Sequence, residues 1–475
     1  MNDAAPTPAA RPGRGREALF GALLFVLALA PRLYVAVFWT GEPVWDGHYY
    51  DFGARRIAEG AGYSDDLNLG GQLLWHPWCH YPVGYSAFLA GFYRLFGSGH
   101  AVAAVANALV GAALAVVSWA LARHALSSFR ARAAGVIVAL HPGLILYSAL
   151  LMSEPLAALL TLLAFWAAVA SPPRRGVVLG ALLLGVAALV RPQALLCAPF
   201  LALVLPRGRV RLGGAAVACA LALVPVLPWT ARNCRVMDGC ALVSTNAGWN
   251  LAIGAFPRAT GRFETLRSSD GCSDVTGQVQ QDRCWMTYGL AQIRARPGHW
   301  LALIPAKLGF TFDHESFAVE YLHEARPEAW PDERRERWRG ATTLVHRLLL
   351  AGAALGCMAF PRPRPSRDAA VQGALIVAAG ALVALAFTAS TPVLWPLALF
   401  VALVPWLPLP GRPPAPPALL LPLALLATTV VTHAIFFGED RYHVVITPVL
   451  ALMAAAALRE SRRSVADASM EARVC

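Results

Sequence analysis

The sequence predicts an all-α polytopic membrane protein with about twelve transmembrane helices. Three observations carry this. Apolar runs of about 15 to 22 residues recur along the whole length, near what a bilayer core requires. The 475-residue chain is 57% hydrophobic and 14% charged, against about 25% charged in soluble domains; its mean hydropathy is +0.52. The net charge of +12 is nearly all Arg and lies in short clusters between the apolar runs. That placement sets membrane topology and is no nucleic-acid footprint. The expected partners therefore include a lipid bilayer and no nucleic acid.

Residues 1–17, rich in Pro, Ala and Arg, read as a disordered cytoplasmic tail. A first span over about 18–40 continues past Pro31, which argues for an uncleaved helix over a signal peptide. Residues 41–99 form a first outer loop. In it Asp46, Tyr50 and Ala54 share one face of a short amphipathic helix, with Pro43 before it and Gly60 and Gly62 as its exit. Tyr81 to Phe96 is apolar but short and carries Arg94, so it reads as a second helix along the membrane face. If it spanned, every later Arg cluster would change sides. Spans follow at about 100–122, 133–150, 156–170, 177–190, 193–205 and 213–229. A large outer loop over 230–340 then holds a Gly/Asn/Thr-rich part, cysteines, an amphipathic segment near 298–318 and the charged stretch Asp332 to Arg339. The last spans fall at about 341–360, 370–388, 392–408, 418–436 and 443–458, and residues 461–475 form a cytoplasmic tail. The main body is one transmembrane unit over 18–460. In this threading each inside loop carries Arg and both termini are cytoplasmic.

Acids and cations then meet on the outer side. Asp46 opens the first outer helix, with Tyr50 one turn on. Glu154 ends the third span, Arg191 lies between two short spans, and Arg441-Tyr442 precedes the last. Arg232-Asn233 follows the seventh span, and Lys307 is the only lysine. A single ionisable residue at a span end is ordinarily an interface anchor, and Asp46 alone would serve as a helix cap. Several at one level point to a polar site. Arg holds phosphate by paired hydrogen bonds, Lys as a point charge, and a carboxylate beside them can take a proton from an attacking hydroxyl. Tyr50, Trp75, Trp78 and Tyr81 are aromatics of the kind that gather at a membrane interface. His48, His76 and His80 have the composition of a metal set without a ligand spacing. No metal ligands and no cofactor are predicted.

These residues resemble the GT-C superfamily of polytopic glycosyltransferases, of the protein O-mannosyltransferase and aminoarabinose-transferase (ArnT) type and the bacterial RgtA/B/C/D type. The motifs are Asp46, Tyr50, Ala54 and Gly60-Ala61-Gly62-Tyr63, then Pro82-Val83-Gly84-Tyr85 to Leu95-Phe96-Gly97. His141-Pro142, Tyr147-Ser148, Ser153-Glu154-Pro155 and Leu189-Val190-Arg191-Pro192 follow. Pro228-Trp229, Arg232-Asn233, Ser244-Thr245-Asn246-Ala247-Gly248, Asn250-Leu251 and Arg441-Tyr442-His443 complete the series. Many members have Asp-Glu at the first acid; here it is Asp46-Gly47, so only the acid expected to act is retained.

The resemblance implies a GT-C fold and an integral-membrane glycosyltransferase. A sugar on a polyprenyl phosphate would pass to an envelope acceptor (a glycan, lipid or protein) on the extracytoplasmic face, with inversion in a single displacement. Asp46 would be the general base. Arg191, Arg232, Lys307 and Arg441 are candidates for the donor phosphate; Tyr50, Tyr81, Glu154, Asn246 and Tyr442 are candidates for substrate binding. A divalent metal is compatible with this chemistry but not predicted. The Ala/Arg-rich usage points to the inner membrane of a high-GC bacterium. A transporter or flippase of a lipid-linked sugar is the alternative, but it would need charges deep in spans. A non-catalytic envelope-assembly partner would not need Asp46, Glu154 and Arg441-Tyr442.

Five of the nine cysteines, Cys79, Cys234, Cys240, Cys272 and Cys284, fall in outer loops. An oxidising compartment permits bridges there. Cys234–Cys240 with Cys272–Cys284 is one arrangement, a bridge between the two segments another.

Overall fold

The computed structural model describes residues 14–267, 270–358, 366–389, 391–404 and 415–458. Apart from one antiparallel hairpin, Ser64–Leu69 with Gln72–Pro77, all regular structure there is helical. The all-α expectation therefore holds. Among the described residues six helices are long and apolar enough to cross a membrane, or up to eight if two bent pairs each count once. Glu154–Ala170, Pro192–Val204 and Leu394–Leu403 are shorter apolar helices at three further expected spans. By length and composition alone the described residues give six to eight crossings; the expected twelve also counts the shorter apolar helices.

Many boundaries agree with the sequence. Helices cover Arg14–Phe38, His100–Ala122, Pro173–Val190 and Pro417–Ile435. The first outer loop holds the helix Asp46–Ala58, with Gly60 and Gly62 at positive φ after it, and the short helix Val83–Phe96. Other elements differ. The tail does not extend to residue 17: helix begins at Arg14, and Glu17 is buried against Arg123 and Arg132 at 3.3 and 3.1 Å. The span expected at 133–150 is Ser128–Leu140 followed by Pro142–Ala149, bent by 51°. Pro142 lacks an N–H and disfavours helix at the residue before it, and His141 is extended at φ −64°, ψ 118°. The seventh span bends by 48° between Arg209–Leu223 and Leu227–Val236. Pro192–Val204 is a 3-10 helix. The charged stretch Asp332 to Arg339 is no loop but the first turns of the helix Asp332–Met358. Its Arg335 and Arg339 reach Glu320 at 2.6 and 3.0 Å, so the charges pair with a neighbouring helix. The inside loop near 359–365, the turn at Arg412 and the tails 1–13 and 459–475 lie outside the described residues.

Small residues let the helices approach closely, and the buried core runs continuously from Leu24 to Ala455. Leu23, Val26, Leu344, Leu348 and Leu355 project outward and are more than half exposed, as a lipid-facing belt requires. The two ends of the bundle differ. At one, Glu17 meets Arg123 and Arg132, and Arg130 Nε donates to Leu458 O at 3.0 Å. At the other lie the first outer loop, Glu154, Arg191 and Arg441. His100–Ala122, with 23 residues, connects them and spans roughly 35 Å at 1.5 Å per residue.

Candidate active site

Asp46 is the first residue of its helix, yet it does not cap it. The N-cap is Trp45, which makes no side-chain cap bond. The Asp46 carboxylate turns away from its own helix. Oδ2 accepts from Arg441 at 2.6 Å and Oδ1 accepts from the Tyr81 hydroxyl at 2.8 Å. Trp45 is the only non-glycine at positive φ among the described residues, at φ 51°, ψ −131°. Such a conformation costs on the order of 1–3 kcal/mol, and the rings of Phe317 and Tyr321 hold Trp45 there at 5.4 and 5.8 Å. The missing second acid also has a physical reason. A Cβ on Gly47 would lie 2.2 Å from the Tyr321 hydroxyl, which the Val44 N–H fixes at 3.2 Å. Tyr321 fills the space a glutamate would need.

Arg441 sits between two carboxylates, with Nε 2.8 Å from Glu439 as well as the bond to Asp46. It lies at the start of the 3-10 helix Asp440–Ile446. Asp440 anchors that turn by accepting from the Ser316 hydroxyl at 3.0 Å and the Phe317 N–H at 2.8 Å, and the Arg441 guanidinium covers the Phe317 ring at 5.2 Å. Arg191 follows the helix Pro173–Val190 and pairs with the buried Glu154 at 2.6 Å. The guanidinia of Arg191 and Arg441 lie 5.6 and 5.1 Å from the Tyr442 ring, which stacks on His433 at 4.1 Å. Two cation–carboxylate pairs thus meet at one aromatic ring.

These groups open onto a cavity of about 610 Å³, lined among others by Asp46, Tyr50, Tyr81, Arg191, Asn246, Arg441 and Tyr442. Burial pushes the Asp46 carboxyl up, but Arg441, the Tyr81 hydrogen bond and Arg191 together hold it below its ordinary value. It is therefore ionised at neutral pH. Burial, then the Asp46 charge, raises the Tyr81 phenol, so it stays a donor. Burial raises Glu439 despite Arg441. Burial lowers His80, another lining residue, to about 4, so it is a neutral imidazole.

Seven of the ten expected site residues line this cavity, and Glu154 joins them through Arg191. Arg232 and Lys307 do not line it. Arg232 donates to the carbonyls of Tyr63 and Trp78 at 2.7 and 3.0 Å and lies over Trp229. Lys307 is fully buried, donates to Ile435 O at 3.1 Å and lies over Trp300; burial lowers it to about 8. His76 pairs with Asp65 across the hairpin at 2.6 Å, and Trp75 is exposed there. His80, noticed in the sequence only as part of a metal set, lines the cavity; Gln193, Trp249, Glu439 and His433 are neighbours of the candidate site that motif reading passed over. Only Glu439 carried a sequence signal, as part of the acidic outer turn before Arg441. Cys234–Cys240 and Cys272–Cys284 are both bridged, and Cys79 is buried beside Thr245. The bridges brace the large outer loop, whose residues 242–266 contribute to the cavity wall.

Residues 80–231 match the family model of dolichyl-phosphate-mannose-protein mannosyltransferases. No curated protein matches the chain in sequence. Among solved structures, the archaeal oligosaccharyltransferase AglB from Archaeoglobus fulgidus, in complex with an inhibitory peptide and a dolichol-phosphate, aligns at TM-score 0.44 and 13% identity over 96% of this chain. The chain spans about half of that protein, 54% of its length. ArnT from Cupriavidus metallidurans bound to undecaprenyl phosphate aligns at TM-score 0.37 and 16% identity, over 94% of this chain and 77% of that one. The family match covers the stretch with the Pro-x-Gly-Tyr, Ser-Glu-Pro and Arg-Pro motifs. By its motifs and by that match alike, the chain is similar to the GT-C membrane glycosyltransferases of protein-mannosyltransferase type.

Proposed function

We propose that the chain is an integral-membrane glycosyltransferase that moves a sugar from a polyprenyl-phosphate donor to a hydroxyl of an envelope glycan, lipid or protein. The observation that carries this reading is the Asp46–Arg441 pair, closed across 395 residues at the wall of the cavity. It brings a proton acceptor next to a phosphate-binding cation, the two groups such a transfer needs. The family matched over 80–231 is named for a lipid-phosphate sugar donor, and a cavity of about 610 Å³ suits a sugar phosphate.

In this mechanism the acceptor oxygen attacks the anomeric carbon. Asp46 takes the hydroxyl proton. The bond from that carbon to the phosphate oxygen breaks, the polyprenyl phosphate leaves with the electron pair, and the anomeric configuration inverts. Arg191 and Arg441 face the cavity, so they, not Arg232 and Lys307, are assigned to the leaving phosphate. Such fixed charges act by stabilising charge as it develops. Glu154 orients Arg191, Glu439 orients Arg441, and Tyr50, Tyr81, Asn246 and Tyr442 border the sugar. Asp46 is a weak base because Arg441 holds its proton affinity down. Transfer of Arg441 toward the phosphate would restore that basicity when donor binds. The enzyme is placed in a bacterial inner membrane, with both termini cytoplasmic and the site extracytoplasmic. The body of the chain, 18–460, acts as one glycosyltransferase domain.

The test is mass spectrometry of lipids and envelope glycans from wild-type, deletion and Asp46→Asn strains. Loss of one sugar in both mutants, with a polyprenyl-phosphate sugar accumulating, is expected. In vitro, Asp46→Asn should lower turnover about 10²- to 10⁴-fold with donor binding retained. Full turnover in Asp46→Asn would remove the general base.

A further inference from the structure

Behind the Asp46–Arg441 pair lies a second polar cluster that the proposed transfer does not use. Glu315 precedes the helix Phe317–Ala325, His346 lies in Asp332–Met358, and His443 is two residues beyond Arg441. All three are buried, with Glu315 at 3% exposure and both imidazoles at 0%. One oxygen, Glu315 Oε2, lies 3.7 Å from His346 Nδ1 and 3.7 Å from His443 Nε2. The ligand atoms of the three residues lie within 4.8 Å of one another.

The outer nitrogens settle the tautomers. His346 Nε2 is 2.9 Å from Phe312 O and His443 Nδ1 is 2.8 Å from Thr311 O. A carbonyl only accepts, so both nitrogens carry the proton. In neutral rings the inner nitrogens, His346 Nδ1 and His443 Nε2, then present lone pairs. Neither has a hydrogen-bond partner, and neither does either oxygen of Glu315. Three acceptor groups therefore face one another in a buried site. That arrangement is repulsive unless something positive sits between them.

We propose that Glu315, His346 and His443 form a site for a divalent transition metal, zinc by its donor set. Two imidazoles whose far N–H groups are fixed by backbone carbonyls, plus one carboxylate, are ligands zinc takes. Tetrahedral ligands at roughly 2.0–2.1 Å from zinc stand roughly 3.4 Å from one another, close to the 3.7 Å separations here. His141 is a positioning residue. Its Nδ1 accepts from Leu144 N–H at 3.4 Å, so its Nε2–H points to Glu315 Oε2, 3.6 Å away. Gly143 makes room for the carboxylate: a Cβ there would lie 1.3 Å from Glu315 Oε1. The ion would clip three segments together immediately behind Arg441. His48, His76 and His80, which composition alone brings to notice, take no part.

The experiment is elemental analysis of the full chain, purified in detergent with a tag free of histidine after growth with zinc, alongside X-ray absorption of the bound metal. The expected result is about one zinc per chain with nitrogen and oxygen neighbours at about 2.0–2.1 Å. His346→Ala and Glu315→Ala should lose it and His76→Ala should keep it. His141→Gln should weaken metal affinity roughly 10- to 100-fold. Wild-type protein without stoichiometric metal, or metal that persists in both ligand variants, overturns the proposal. The wild-type measurement decides even if the ligand variants fail to fold. The readout is metal, so it stands apart from the transferase reading.

Discussion

Asp46 is pulled two ways: burial raises its proton affinity, and Arg441, Tyr81 and Arg191 lower it by more. The sign gives a test. A general base, the role proposed for Asp46, must be ionised, and the lowered proton affinity keeps Asp46 ionised further into the acid range than an ordinary carboxylate. The acid limb of kcat/KM should therefore lie below the usual carboxylate range in the wild type. Tyr81→Phe deletes one hydrogen bond to the charged form, so the limb should move to higher pH with little change in the plateau. A pH profile measured on both proteins checks this, and a limb that stays put removes Asp46 from the titration. The residue scale also shows what a sequence can and cannot display. Asp46, Glu154, Arg191 and Arg441 were legible because each sits in a short motif at a span end on the same side. Arg232 and Lys307 look identical by that criterion. Their charges are spent on carbonyls of Tyr63, Trp78 and Ile435. A carbonyl without a helical partner is a product of the packed fold and leaves no mark on the sequence.

Elements were legible by length and apolar run, and less so where backbone geometry breaks. The hairpin Ser64–Leu69/Gln72–Pro77 escaped notice because its strands, Ser-Asp-Asp-Leu-Asn-Leu and Gln-Leu-Leu-Trp-His-Pro, lack the alternation of a half-buried sheet. Its turn signal, Asn68 accepting from Gly71 N–H at 2.9 Å with Gly70 and Gly71 at positive φ, is local. The bend at His141-Pro142 shows how a break is stabilised. It leaves the last carbonyls of Ser128–Leu140 without helical donors. Arg32, fully buried in Arg14–Phe38, donates to Val138 O at 2.9 Å and Ala139 O at 2.6 Å. A charge inside a span was unexpected from the sequence, where the charges were placed at span ends. Its partners show it to be a brace for a broken helix, so it does not argue for a transport path. Arg32→Met should destabilise by about 1–3 kcal/mol for the carbonyls left unpaired, read as a lower unfolding midpoint in detergent, with Arg32→Lys in between. A close approach fixes a second element. A Cβ on Gly84 would lie 2.6 Å from Leu189 O, so the Pro-x-Gly-Tyr motif lets Val83–Phe96 press on the turn that presents Arg191. Gly84→Val should weaken donor binding through Arg191 while Asp46 keeps its partners, measured as a rise in donor KM.

The whole molecule separates its charges by end. Glu17, Arg123, Arg130, Arg132 and Leu458 meet at one end, and the carboxylates Asp46, Glu154 and Glu439 meet Arg191 and Arg441 at the other. The first described helix and the last thus start and finish together, so an even number of crossings joins them. At the first end three Arg face a single acid, Glu17, and the positive-inside bias predicts that such an end stays in the cytoplasm. The orientation proposed here would put the cavity, and both disulfides, on the oxidising side. Fusions test it. Green fluorescent protein after the C-terminus should fluoresce and alkaline phosphatase at the same point should be inactive, whereas phosphatase inserted at Gly70-Gly71 should be active. The reverse pattern would turn the site to the cytoplasm. An envelope acceptor would then be out of reach of Asp46, and the bridges at Cys234–Cys240 and Cys272–Cys284 would face a reducing pool.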